Sequence, residues 1–346
     1  MNKLRWNNDY NQGAHPAIIK ALEKTNNESY CGYGLDEWCK KGADEIKKHL
    51  GGRDADVHFM IGGTQVNFTV ITSALRSYQS VICADSGHIN VHETGAVENT
   101  GHKIEALPGT DGKIQAAQIK EAAESFRVSD VKEHITEPKM VYISFPTEYG
   151  TIYSLSELNE IRSVCDEYGL YLFIDGARLG YGLGSPECDV TMEDIARVSD
   201  VFYIGGTKCG ALFGEAVVIL NDALKIGFRS YIKQNGAMLA KGWLLGIQFY
   251  TLFSEGIYFD CMKAASTEAL RIKAAFEERG IKSYIESYTN QQFVILTEKQ
   301  MEQIGEKHIY EYEMKLGDGI HCVRFCTSFA TKHEDVDALI EDIAKL

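Results

Sequence analysis

The sequence predicts an α/β protein built from a large, mostly parallel sheet domain and a smaller C-terminal α+β domain. Three observations carry this expectation. Short apolar runs, each followed by Gly, Asp or Thr and then by a helical pattern, recur through the first two thirds of the 346 residues, as in successive βαβ units. The stretches between them repeat apolar residues at three- and four-residue steps. After about Gly256 the alternation gives way to a long helical pattern and several strands in a row.

In chain order, strands are expected over 57–61, 81–84, 140–145, 170–174, 201–204 and 216–220. A helix over 64–75 follows the Gly62-Gly63 turn, and Leu155, Leu158, Ile161 and Val164 mark one face of another. The apolar stretch 237–253 is interrupted by Lys241 and Gln248 and so does not read as a membrane span. The glycine-rich run 180–184 leads into Ser185-Pro186 rather than opening a helix, and reads as a flexible edge of the site. Residues 1–255 are expected to form the large domain, with the N-terminal segment against the small one, and 256–346 the small domain. There a helix over 260–279 precedes strands over 282–287, 291–297 and 320–326. Thr331 with Glu334 forms a capping-box pattern that opens the last helix.

Composition narrows the class. Thirty-five basic against 49 acidic residues give a net charge of −14, which repels phosphate backbones and anionic lipid surfaces, so neither nucleic acid nor membrane is an expected partner. The first residues, MNKLRWNNDYNQG, lack the apolar core of a signal peptide, and nine scattered cysteines without a C-x-x-C pair read as reduced thiols. Both point to the cytoplasm. Cys322 and Cys326, four apart in a strand, share a face and read as core.

In an open α/β sheet, ligands bind in the crevice outside the C-terminal strand ends. Four segments fall there: Gly62-Gly63-Thr64, Ser86-Gly87-His88, Asp175-Gly176-Ala177-Arg178 and Gly205-Gly206-Thr207-Lys208. Between a strand and a helix, the first offers backbone N–H groups, a helix dipole and a hydroxyl to an anion, of which phosphate is the natural guest, although the glycines alone equally read as a tight turn. Asp175 ends an apolar strand, where a carboxylate needs a cation or strong donors. Lys208, at another strand end, reads as an amine of depressed pKa and a Schiff-base nucleophile. Taken singly, each also reads as a solvated strand terminus; their joint placement favours a site.

The string Ile174-Asp175-Gly176-Ala177-Arg178, with a lysine after the next strand and with Gly-Gly-Thr and Ser-Gly-His before it, resembles the low-specificity L-threonine aldolase and β-eliminating lyase family. That family belongs to the fold-type I (aspartate aminotransferase-like) pyridoxal 5′-phosphate (PLP) enzymes. The likeness runs from Asn8-Asp9 through Tyr33-Gly34-Leu35-Asp36 to Arg324. It implies PLP held as a Schiff base on Lys208, Asp175 opposite the ring nitrogen, Gly63 and Thr64 at the phosphate, His88 stacked on the ring, and Thr207 among the cofactor-binding residues. It also implies Arg178 and Arg324 gripping the cofactor surroundings and the substrate carboxylate. Arg is suited to that grip because its planar fork pairs two oxygens at once. Asn8 stands where the family usually has a carboxylate-contacting serine. Tyr33, with Tyr30 and Trp38, reads as core or as a subunit-contact loop, and the resemblance favours contact in a homodimer or homotetramer whose neighbouring subunits complete each site.

The sequence departs from the family where many members carry an Asn-Thr-His segment, here Phe145-Pro146-Thr147-Glu148-Tyr149. His92 is a candidate to supply the missing base. His88, His92 and Glu93 also spell an H-x-x-x-H-E pattern, but no third ligand has zinc-type spacing, so no metal is expected. The implied reaction is cleavage of a small β-hydroxy-α-amino acid to glycine and an aldehyde, with His88, His92 or a water taking the hydroxyl proton. The alternatives are β-elimination, with Lys208 removing the Cα proton, and a catalytically silent PLP-fold binding protein.

Overall fold

The computed structural model describes residues 3–346. Its strands are β1 (Leu4–Arg5), β2 (Asp56–Met60), β3 (Gln79–Ala84), β4 (Lys103–Leu107), β5 (Glu137–Ser144), β6 (Tyr171–Asp175), β7 (Val201–Gly205), β8 (Glu215–Ile219), β9 (Gln291–Thr297), β10 (His308–Ile309), β11 (Glu311–Gly317) and β12 (Ile320–Cys326). Seven of them form one sheet in the order β2-β8-β7-β6-β5-β3-β4. Only β8 runs antiparallel to its neighbours, while the remaining pairs are parallel. The C-terminal ends of β2, β3, β5, β6 and β7 therefore share one edge, and β8 begins at that same edge.

Both faces of the sheet are covered, so the central strands are apolar almost without interruption, as parallel sheets require. Ile82, Ile143, Ile174, Ile204 and Val218 pack to one side; Val81, Tyr142, Phe173, Tyr203 and Val217 pack to the other. Helix Gly63–Ala74 follows β2. Helix Leu155–Tyr168 opens on a reciprocal capping box between Ser154 and Glu157 and buries Leu158, Ile161 and Cys165. The stretch carrying Lys241 and Gln248 contains helix Trp243–Ser254, a core helix with Leu245, Ile247, Phe249 and Leu252 buried. Among the described residues no helix is long and apolar enough to cross a membrane. Tyr30 and Trp38 pack on Trp243 and Tyr250 of that helix, with ring centroids 5.3 and 5.4 Å apart.

The C-terminal part is a three-stranded antiparallel sheet, β11-β12-β9, with its own core of Trp6, Phe276, Val294, Val323, Phe325, Val336 and Leu339. The chain's start joins it, since Leu4 of β1 pairs with His308 of β10. Helix Ile257–Glu278 borders both cores, burying Met262 against the larger and Ile272 against the smaller.

Three expectations are corrected. The run 180–184 is not a flexible edge: Leu179–Leu183 is a short buried helix. Its glycines allow close packing, because a Cβ on Gly180 would lie 2.5 Å from Met262 Cγ and one on Gly184 would lie 2.8 Å from the Lys263 backbone. The expected strand over 282–287 is reduced to a bridge between Ser283 and Val294. The third strand is instead β11, whose charged, half-exposed sequence EYEMKLG carries little strand signal. The last helix begins at His333 with Lys332 as its cap residue and no side-chain cap, because the Thr331 hydroxyl accepts the Ser328 N–H instead. Strand β4, at the sheet's edge with its mixed sequence KIEAL, also escaped the pattern.

Candidate active site

The shared strand edge opens into a cavity of about 1170 Å³ lined by all four strand-end segments and by Arg324 of β12. Asp175 is the last residue of β6. Its Oδ1 accepts the Ala177 N–H at 2.9 Å, and its Oδ2 accepts from Asn67 Nδ2 at 3.2 Å and from the Tyr142 hydroxyl. Three donors thus satisfy this buried carboxylate. The glycine that follows has a steric cause: a Cβ on Gly176 would lie 1.9 Å from the Tyr203 carbonyl oxygen, and one on Gly205 would lie 2.1 Å from that of Ala177. The turns carrying Asp175 and Lys208 thus interlock.

Lys208 projects into the same cavity. Burial, and then the positive charge of Arg178, hold its amine below the ordinary lysine range, against the opposing pull of Asp9, Asp175 and Glu215. At the other end, Gly62 precedes helix Gly63–Ala74, and a Cβ there would meet nothing within 4 Å, whereas one on Gly63 would press on the Tyr203 hydroxyl at 3.0 Å. Ser86 Oγ, also on the cavity wall, is buried without a partner among the described residues.

His88 opens a four-residue helix, His88–Val91. Its Nδ1 lies 2.9 Å from Glu93 Oε1, which also accepts from Asn67 Nδ2 at 2.7 Å. Asn67 therefore links Asp175 to the carboxylate that holds His88. The sequence singles out neither Asn67 nor Tyr142, and reads Glu93 only as part of a metal pattern with His88 and His92. Asn67 is the more accessible of the first two, because it lies one helical turn beyond Gly63 and Thr64 and so shares their face. His92 also borders the cavity but is exposed; partial burial, then the charge of His88, lower its pKa.

Arg178 lines the cavity with its guanidinium engaged: Nε and Nη2 donate to Asp9 Oδ2 and Oδ1 at 2.7 and 3.0 Å. Burial opposes the Arg178 charge, but the Asp9 carboxylate more than offsets this and raises its pKa. The fork expected for a substrate carboxylate is thus closed on the residue next to Asn8. Asn8 itself does not line the cavity; its side chain caps the N–H of Tyr10. Arg324 does line it, 3.2 Å from Glu313 and with Nη2 donating to the Asn7 carbonyl at 3.2 Å. Its Nε is buried without a partner among the described residues. Thr207 reaches the cavity, but its hydroxyl donates to Glu215 Oε1 at 2.8 Å and accepts the Gly214 N–H at 3.0 Å. Tyr33 lies elsewhere, exposed beside Leu35 and Arg229 and outside this cavity.

Two carboxyls on the wall had been left without a role. Glu215 starts β8 and accepts the Gly206 N–H at 2.9 Å as well as the Thr207 hydroxyl. Burial pushes its pKa up to about 8, with Lys208 pulling it down and Asp175 adding to the rise. Glu148 sits after β5, its Oε1 accepting from the His88 N–H at 3.0 Å and the Ser144 hydroxyl at 2.6 Å.

These residues fit PLP. A buried amine, a triply donated carboxylate, a glycine-lined helix start and an unpartnered Ser86 hydroxyl answer its aldehyde, ring nitrogen and phosphate. The fold and cavity are those of a fold-type I PLP-dependent enzyme. The beta-eliminating lyase family model matches residues 13–309, and the chain belongs to that family. A low-specificity L-threonine aldolase of a Pseudomonas species is 30% identical over 97% of this chain and 95% of its own length. The solved structure of Leishmania major threonine aldolase is 44% identical, covers 99% of both chains and superposes with a TM-score of 0.96. Cystalysin from Treponema denticola, whose structure contains PLP, shares the fold at 18% identity and a TM-score of 0.73, covering 99% of this chain and 90% of its own.

Proposed function

We propose that this chain is a PLP-dependent aldolase that cleaves a β-hydroxy-α-amino acid of the L-threonine or L-allo-threonine type to glycine and an aldehyde. The carrying observation is the pairing, in one cavity, of the Lys208 amine of lowered pKa with the triply hydrogen-bonded Asp175 carboxylate. The threonine aldolases with which this chain shares sequence and fold support the substrate class. When bound, PLP would supply an electron sink for the pair left on Cα.

In this reading Lys208 would hold the cofactor covalently, and Asp175 would face its ring nitrogen. Gly63, Thr64 and Ser86 would receive the phosphate, and His88, oriented by Glu93, would stack on the ring. Thr207 acts through Glu215, fixing the turn that carries Lys208. Arg324 receives the substrate carboxylate, exchanging Glu313 for it, while Arg178 serves as a positioning residue locked to Asp9. The neighbouring subunit of a homo-oligomer completes the site, a role open to Tyr33, which is 47% exposed and outside its own chain's cavity. The nine cysteines, all free of disulfides, support a cytoplasmic setting.

Incubation with L-threonine, L-allo-threonine and L-serine, with aldehyde assayed against keto acid, tests the reaction. Aldehyde with equimolar glycine is expected. Keto acid and ammonia without aldehyde would identify a β-eliminating enzyme instead. Lys208→Ala is expected to abolish the visible absorbance that PLP confers and that borohydride removes from the parent. A variant that keeps both properties would exclude Lys208 as the attachment point.

A further inference from the structure

We propose that Glu148 receives the proton of the substrate's β-hydroxyl, at its Oε2 atom. The proposal rests on the aldolase reading and names the base that reading needs.

Glu148 lines the cavity together with Lys208, Asp175, His88 and Arg324. Both of its side-chain donors converge on one oxygen: the His88 N–H and the Ser144 hydroxyl reach Oε1 at 3.0 and 2.6 Å. Oε2 has no protein partner among the described residues. One half of the carboxyl is thus anchored to two elements of the cavity wall, and the other half is available to a ligand. A base so placed keeps its orientation without spending its second oxygen on the protein.

The electrostatic setting agrees. Burial is the largest influence and raises the Glu148 pKa, with Asp175 adding to the rise and the hydrogen bonds from Ser144, from its own backbone N–H and from the His88 N–H opposing it. A carboxyl so raised holds a transferred proton better than one in water. Its other titratable neighbours are Cys83, Tyr142, Tyr149 and Tyr153, each pushed up by burial and so uncharged near neutrality. The histidines are less well placed: His88 has Nδ1 committed to Glu93, and His92 is exposed to water.

The step balances. The O–H bond at Cβ breaks and its proton passes to Glu148 Oε2, while its electron pair becomes the second C–O bond of the aldehyde. The Cα–Cβ bond breaks, leaving its pair on Cα. Glu148 then passes its proton to water and Cα takes one from another donor, so threonine yields glycine and acetaldehyde with no oxidant or reductant.

Glu148→Gln is the discriminating variant, since the amide oxygen still accepts from His88 and Ser144 while no oxygen remains to take a proton. Cleavage of L-threonine is expected to fall by about 10²- to 10³-fold in kcat, the usual reach of a general base. Glycine lacks a β-hydroxyl, so its Kd by calorimetry and its α-proton exchange into D2O should stay within twofold of the parent. In the cofactor-free protein, infrared titration should show a carboxyl band that protonates above the ordinary glutamate range and is absent from the variant. Cleavage within threefold of the parent, or loss of glycine binding and exchange alongside cleavage, would overturn the proposal. A parent enzyme that exchanges glycine protons yet releases no aldehyde from any β-hydroxy amino acid would instead defeat the aldolase reading, and this one with it.

Discussion

Asp9 joins three parts of the chain at one buried point, and replacing it with alanine should be among the most damaging changes outside the cavity. The residue is fully buried and holds the Arg178 guanidinium through two bonds of 2.7 and 3.0 Å, while Asn290 Nδ2 donates to the same carboxylate at 2.9 Å. Asp9→Ala leaves a guanidinium that is 14% exposed without its counter-charge. Removing one partner of a buried pair costs roughly 3–5 kcal/mol, chiefly because the survivor stays charged and unpaired. With an unfolding entropy of about 2 cal/mol/K per residue, 4 kcal/mol over 346 residues corresponds to a fall in Tm of roughly 5 °C. Thermal unfolding followed by circular dichroism at pH 7, with and without PLP, measures it. The double variant Asp9→Ala/Arg178→Met should recover part of the loss, because both charges are then gone. A drop below about 1 °C, or a double variant as unstable as the sum of the singles, would refute the assignment of this pair as a structural lock. Acid provides a second reading. Burial works to raise the Asp9 pKa, but Arg178 and then Lys208 hold it below its ordinary 3.8. The pair's contribution is therefore complete above that value and is lost as pH falls through the lower folded-state value, and Asp9→Asn should remove that part of the acid transition.

Two further outcomes follow from the cavity walls. Glu215 has a folded-state pKa of about 8 against an ordinary 4.5, so the stability associated with its protonation is full below 4.5 and is lost as pH rises toward 8. Cofactor-free Glu215→Gln should accordingly gain stability relative to the parent in denaturant titrations at pH 8.5 and show little gain at pH 5; equal differences at both pH values would contradict this. Gly176→Ala places a Cβ 1.9 Å from the Tyr203 carbonyl oxygen, an overlap that needs backbone movement costing at least about 3 kcal/mol. Its soluble yield and Tm should collapse, whereas Gly62→Ala, with open space at the added carbon, should fold normally.

The parts of the molecule legible in the sequence are those whose residues answer a strong, local requirement. Strands β3, β7 and β8 are buried on both faces and read as apolar runs, and Ser154 with Glu157 announces a helix start. Strands β4 and β11 carry charges on exposed faces, so their pattern resembles that of loops. The same division holds in the cavity. Asp175 and Lys208 stand out because a charged residue ending an apolar strand needs an explanation. Tyr142 and Asn67 reach Asp175 from 33 and 108 residues away, so nothing near Asp175 in the chain signals their union with it. Arg178 was legible as a functional cation but not as a partner of Asp9, which lies 169 residues away.

Of the carboxyls that line this cavity, Asp175, Glu215 and Glu148 are sorted by their neighbours into different tasks. Asp175 receives three donors, one of them a backbone N–H fixed by its own turn, and so is held rigidly in place. Glu215 spends both oxygens on the turn before Lys208, and burial outweighs those two bonds, which suits a positioning residue that exchanges charge with the lysine and touches no substrate. Glu148 spends one oxygen and keeps the other, and there too burial prevails. Chemistry that needs both a fixed carboxyl and a transient proton carrier cannot use one environment for both, since donors that occupy both oxygens of the first would leave the second no atom for the proton. The departure from the family at 145–149 therefore supplies what the missing histidine would have provided: an anchored group of raised basicity with one atom open to the cavity.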